Sequence, residues 1–168
     1  DIVFSGVGKT AQELAYALDQ DIFQFNVESE SELQLLNDVA ASKGKKARVA
    51  IRVNPDVDPK THAKISTGQK ETKFGIAMSH ASSVYSLAAT LPHIDVQGVS
   101  VHIGSQLTSI EPFMKAFALV RDFVLTLKAK GFTIKTVDLG GGLGIPYGKD
   151  EPPLPDSYAE TARREMHG

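Results

Sequence analysis

The sequence contains no cysteine, which excludes disulfides and thiolate-bound metal. No apolar run approaches the roughly 18 residues of a membrane-spanning helix, and no signal-peptide pattern opens the chain. Charge of one sign is also scarce. The net charge is −2, so no strong field draws the chain to nucleic acid or to an anionic membrane. The five histidines show no metal-ligand spacing, and no Gly-x-Ser-x-Gly nucleophile elbow occurs. These absences fit a cytoplasmic protein with no nucleic-acid or membrane partner. What is present is ordinary for a globular domain: a 42% hydrophobic fraction in 168 residues suffices for one core and gives no sign of two.

The ends are less ordinary. The chain opens at Asp1 without an initiator Met and runs straight into Ile2-Val3-Phe4. It closes on Ala162-Arg163-Arg164-Glu165-Met166-His167-Gly168, a helical composition followed by no further element. Such ends read as those of a piece of a longer chain.

Between them, strand-like and helix-like stretches alternate. Strands are expected over Ile2–Ser5, Ile22–Val27, Ala47–Val53, Val96–Ile103 and Thr136–Leu139, the third rich in β-branched residues. Thr10-Ala11-Gln12-Glu13 and Ser29-Glu30-Ser31-Glu32 each have the form of a capping box opening a helix, and Gly44 is placed to stop the second. A third helix is expected over His80–Leu91. The clearest carries Phe113, Phe117, Val120, Val124 and Leu127 at steps of three and four, between Glu111-Pro112 and Gly131. A last helix starts near Asp156. About five strand–helix units argue for an α/β protein with a parallel, helix-covered sheet. Periodicity leaves two architectures open: a complete doubly wound sheet, or part of an eightfold barrel. In both, chemistry belongs at the C-terminal ends of the strands.

Three stretches there stand out. Gly140-Gly141-Gly142 directly follows a strand, where backbone N–H groups can cradle a phosphate or simply form a tight turn. His102, followed by Gly104 and Ser105, can present a flat ring and a hydroxyl to a ligand, or be satisfied at a strand end. Arg52 inside a core strand needs an anion, either a ligand or a structural carboxylate. The long polar segment from Asn54 to about Ser79, with His62 and Lys64, has the length of a binding loop and the apolar Ile65, Phe74 and Ile76 to bury. Asp150 and Glu151 beside two prolines read as solvated loop charge.

Seven short motifs in register resemble one family. They are Phe4-Ser5-Gly6-Val7-Gly8-Lys9, Phe25-Asn26-Val27-Glu28-Ser29, Arg52-Val53-Asn54-Pro55-Asp56, Lys64-Ile65-Ser66-Thr67-Gly68, Lys73-Phe74-Gly75, His102-Ile103-Gly104-Ser105-Gln106 and Asp138-Leu139-Gly140-Gly141-Gly142-Leu143-Gly144-Ile145. Together they resemble the diaminopimelate decarboxylases, from Phe4 to about Tyr158. Decarboxylases of ornithine, arginine or carboxynorspermidine share the glycine stretch, but the Lys64 and His102 motifs favour the diaminopimelate branch.

The resemblance implies residues 1–168 of an incomplete (β/α)8 barrel of the alanine racemase type, binding pyridoxal 5'-phosphate. It implies His102 stacked on the cofactor ring, Ser105 and the backbone of Gly140, Gly141 and Gly142 at its phosphate, and Arg52 near the ring. It further implies an amino-acid substrate, a homodimer, and loss of CO2 from meso-diaminopimelate to leave L-lysine. By the same resemblance, the Schiff-base Lys precedes this chain. The last strand and a C-terminal β domain carrying the catalytic Cys follow it. Residues 1–168 alone are then expected to be inactive, with Lys9, Lys64 and Lys73 excluded from the covalent role. A barrel or open-sheet protein that binds phosphate or the cofactor without using it is the remaining alternative.

Overall fold

The computed structural model of the protein describes residues 1–57, 74–147 and 151–167. The described strands are β1 (Val3–Phe4), β2 (Gln24–Val27), β3 (Ala47–Asn54), β4 (Ile76–Ala77), β5 (Ile94–Val101) and β6 (Thr136–Asp138). The helices are α1 (Ala11–Asp19), α2 (Glu30–Ser42), α3 (Met78–Thr90), α4 (Glu111–Ala129) and α5 (Pro155–Met166). All strand pairs are parallel, in the order β1-β2-β3-β5-β6, with β4 joined to the end of β3.

That order decides between the two architectures. A doubly wound sheet reverses its strand order part-way, whereas strands laid down in sequence are barrel winding. Curvature gives the same answer. β2 and β6 are separated by β3 and β5, about 14 Å in a flat sheet. Yet Asn26 on β2 donates to Asp138 on β6 at 2.7 Å, and Thr136 on β6 donates to Gln24 on β2. The sheet is therefore curled into an open half-barrel of α/β type.

Period-two alternation divides the strands between two environments. Phe25, Val27, Val49, Ile51, Val53, Val99 and Val101 are buried toward the helices with Leu14, Leu33, Leu36 and Val84. The concave face carries Ser100 and, joined by hydrogen bonds and one ion pair, Gln24, Asn26, Glu28, Arg52, Thr136 and Asp138. Tyr85 of α3 anchors its helix by packing edge-on to Phe123 and Phe132 and donating to the Gly98 carbonyl at 2.7 Å. A smaller cluster of Leu107, Phe113, Ala116 and Phe117 lies under the loop after β6, against Tyr158 of α5.

Local signals mostly hold. Thr10 and Glu13 form the full capping box of α1. At α2 only half of one forms: Ser29 accepts from the Glu32 N–H, but the Glu32 carboxylate turns to Lys9 and the Glu28 N–H. The fourth long strand runs Ile94–Val101 instead of Val96–Ile103, so His102 stands just beyond its end. The segment expected as polar loop from Asn54 contains β4 and the start of α3 at Met78. Ile76 is buried as expected, whereas Phe74 is exposed and lies over the Arg52 guanidinium. His62, Lys64, Ile65, Lys73 and Asp150 lie outside the described residues.

Candidate functional site

At the C-terminal ends of the strands lies a cavity of about 410 Å³ lined by Ser5, Gly6, Asn26, Glu28, Arg52, Ser100, Val101, His102, Asp138, Gly140 and Gly141. Four of the residues singled out in the sequence meet there: His102, Arg52, Gly140 and Gly141. The lining comes from the C-terminal ends of β2, β3, β5 and β6 and from the loops after β1, β2, β5 and β6, the end of the sheet where parallel winding gathers such sites.

Arg52 projects from β3 into the concave face. Its Nη1 donates to both oxygens of Glu28, at 2.7 and 2.9 Å. The pair is largely buried, with side-chain exposures of 14% and 6%. The structural carboxylate left open by the sequence is therefore present, but it does not satisfy the whole guanidinium. The Arg52 Nε is buried with no partner among the described residues, and so is the Oγ of Ser100, its register neighbour on β5. Two adjacent orphaned polar atoms on a cavity floor suit a ligand bearing an acceptor oxygen.

The glycine run abuts the same cavity. Gly140 has φ +69°, and a Cβ there would overlap the Val101 carbonyl oxygen, so only glycine brings this turn so close to the end of β5. Its N–H donates to Asp138 Oδ1 at 2.9 Å, and the Gly141 N–H faces His102 Nδ1 at 3.5 Å. The Gly142 N–H has no partner among the described residues. The backbone nest is thus narrower than three free amides. Gly142 and Ser105 are not among the lining residues. Ser105 is exposed, beside Gly104, whose carbonyl packs against Gly142. Gln106 and Ile145 pair in both directions, and Leu107 receives and returns backbone bonds with Gly142 and Gly144, so the two loops form one ledge. Tyr158 donates to the Gly140 carbonyl at 3.0 Å and pins that ledge from α5.

His102 stands exposed at the cavity edge. Partial burial holds its pKa below the ordinary imidazole value, and the nearby Arg52 cation lowers it further, against smaller opposing effects of Asp138 and Glu28. The ring is therefore neutral at pH 7, with Nδ1 placed to accept and the proton on Nε2. The unfolded chain binds this proton more readily than the folded one. The stabilisation is thus fully present above the unfolded value of about 6.5 and is lost as pH falls through the folded pKa. An NMR titration of the His102 ring should give a midpoint below that of a free histidine; a midpoint at or above it would contradict this environment.

Lys9 is buried and donates to the carbonyls of Gly6 and Asn26 and to the Glu32 carboxylate, each at 2.7 Å. With all three protons placed, it ties the β1 loop, β2 and α2 together and offers no free amine to the cavity. Glu28, Asn26, Ser5, Ser100 and Asp138 are site residues that carried no role in the sequence reading. Their signal was the polar half of the strand alternation, opposite a fully apolar half.

Comparison with known proteins matches residues 1–167 to the family model described as pyridoxal-dependent decarboxylase, pyridoxal binding domain. The chain belongs to this family. Among curated relatives it is 52% identical to a diaminopimelate decarboxylase of Zymomonas mobilis, over 99% of this chain and 40% of that protein. One from Pseudomonas aeruginosa is also 52% identical, over the same shares. The chain spans about 40% of the length of these relatives. Among solved structures, the diaminopimelate decarboxylase of Helicobacter pylori complexed with L-lysine superposes with a TM-score of 0.91 at 40% identity, over 99% of this chain and 42% of that one. The half-barrel is thus the alanine-racemase-type barrel of the pyridoxal-dependent decarboxylases, represented in part. Among the described residues, no helix is long and apolar enough to cross a membrane, and no group of His, Cys, Asp or Glu is placed to hold a metal ion.

Proposed function

We propose that the full-length protein carrying this segment decarboxylates meso-2,6-diaminopimelate to L-lysine and CO2, with pyridoxal phosphate bound in the cavity at the strand ends. The observation that carries this reading is the meeting of His102, Arg52, Gly140 and Gly141 at one cavity, beside two buried polar atoms without partners among the described residues. The relatives' shared name supports the substrate. So does the lysine-bound Helicobacter pylori structure, since L-lysine is the expected product.

The residues fit the cofactor's chemistry. Pyridoxal phosphate, when bound, supplies an electron sink for the carbanion left by loss of CO2. The neutral His102 ring stacks on a flat heteroaromatic without adding charge to it. The Gly142 N–H and the Ser105 hydroxyl, on the ledge beside the cavity, would supply donors for the phosphate. Arg52, held by Glu28, keeps a cation beside an anionic ligand, and its Nε and Ser100 Oγ take an acceptor oxygen. The covalent Lys, the last strand, and the partner-donated Cys on a β domain belong to parts of the full-length protein beyond residues 1–168. The working form is a cytoplasmic homodimer.

The deciding assay incubates the purified full-length protein with meso-diaminopimelate, ornithine or arginine and follows CO2 and the amine product. Release of L-lysine from diaminopimelate alone is the expected result. Turnover of ornithine with diaminopimelate untouched would move the protein to a sister decarboxylase. Cofactor binding without any turnover would make it a carrier. His102→Ala in the same protein should weaken cofactor retention, and unchanged retention would remove the stacking role.

A further inference from the structure

We propose that Asn26 and Asp138 are positioning residues that hold the glycine run, and through it the His102 ring, in place at the cofactor site. The inference rests on the reading of the cavity as that site.

Asn26 is 3% exposed and lies on β2, on the concave face. Its orientation is fixed because Gln24 Nε2 donates to its Oδ1 at 2.8 Å. The Nδ2 is thereby directed across the half-barrel, where it donates to Ser5 Oγ at 2.8 Å and Asp138 Oδ2 at 2.7 Å. One amide thus links the loop after β1, strand β2 and strand β6. Asp138 continues the relay, its second oxygen accepting from the Gly140 N–H at 2.9 Å. Gly140 lies against the Val101 carbonyl and the His102 backbone, and the next N–H faces His102 Nδ1. The sequence separation between Asn26 and Asp138 is 112 residues, so no local turn preference can substitute for this tie.

The arrangement has two chemical consequences. Asp138 places a carboxylate in a cavity that takes an anionic phosphate, yet its charge is absorbed by donors from Asn26 and Gly140. The amides of Gly140 and Gly141 are turned inward, so within the run it is the Gly142 N–H that keeps no partner among the described residues. A network that served folding alone could be replaced by apolar packing of similar volume. This one aims a donor and a ring.

The test uses full-length protein, with pyridoxal phosphate titrated into apoprotein and followed by cofactor absorbance, and ¹⁵N NMR of the His102 ring in the apoprotein. Asp138→Asn leaves an amide that cannot accept from Asn26 and from Gly140 at once. It is expected to weaken cofactor binding about 10- to 100-fold and to change the His102 tautomer ratio. The exchange Asn26→Asp with Asp138→Asn restores one carboxylate and one amide in reversed order, and should recover most of both losses. Asn26→Ser, a milder change that leaves Asp138 its charge, should shift both readouts in the same direction. Wild-type affinity and tautomer ratio in folded D138N or N26S would overturn the proposal, as would an exchange variant that folds but binds no better than D138N. If the wild-type protein bound no cofactor, the cofactor reading would fall. The tautomer ratio would then still decide the relay: a change in D138N supports it and none overturns it.

Discussion

Gly142→Ala is expected to destabilise the protein by about 2–5 kcal/mol and to abolish cofactor retention, the largest single-residue effect in the ledge. Gly142 has φ +100°, a conformation that costs a side-chain-bearing residue on the order of 1–3 kcal/mol by itself. An added Cβ would overlap the Gly104 carbonyl oxygen and lie 3.0 Å from the Leu107 Cδ1. Neither neighbour can retreat cheaply. The Leu107 N–H donates to the Gly142 carbonyl at 2.9 Å and the Gly144 N–H to the Leu107 carbonyl at 2.9 Å, so any shift breaks the bonds that join the two loops. Leu107 is also fully buried in the cluster under them. Gly141→Ala is the control. No atom stands within 4 Å of its added Cβ and its φ is not positive, so a change within about 0.5 kcal/mol is expected. Urea denaturation of the two full-length variants separates the cases. Equal midpoints would mean that the ledge is looser than its bonds imply.

How far the sequence discloses such a site depends on the range of the interactions involved. Thr10 and Glu13 satisfy each other within one turn, and their capping box was legible. Glu32 stands in the same local pattern, but its carboxylate is drawn off by Lys9, 23 residues away, and the box is left half-formed. The five strand–helix units could be counted from periodicity. Barrel winding could not, because strand order is a property of pairings between distant segments. β4 was not legible because two residues carry no period and follow a long polar stretch. At the cavity, His102, Arg52, Gly140 and Gly141 had been singled out from their places at the strand ends. Asn26, Glu28 and Asp138 stood in the same motifs without a role, since each acquires one only from a partner on another strand.

Glu28→Ala is expected to cost about 3 kcal/mol or more in stability, chiefly through what it leaves behind. The Arg52 side chain is only 14% exposed, and Glu28 is the carboxylate that both of its Nη1 bonds reach. Removing it strands a buried guanidinium whose Nε already lacks a partner among the described residues. The Phe74 ring, 5.9 Å from the guanidinium carbon, offers a cation–π attraction of only about 0.5–1 kcal/mol in compensation. Two further expectations separate this account from simple loss of packing. First, Arg52→Met in the Glu28→Ala background should recover much of the loss, because no charge remains to be stranded. Denaturant melts of the four proteins then give the coupling energy directly. A coupling below about 0.5 kcal/mol would show that the pair is not a unit. Second, an anionic ligand in the cavity replaces part of the missing charge. Saturating pyridoxal phosphate should therefore stabilise Glu28→Ala more than it stabilises the wild type, provided the guanidinium keeps its place. If the cofactor instead stabilised the variant less, Glu28 would be acting chiefly to orient Arg52, and the orientation of the Nε would matter more to binding than the charge it carries.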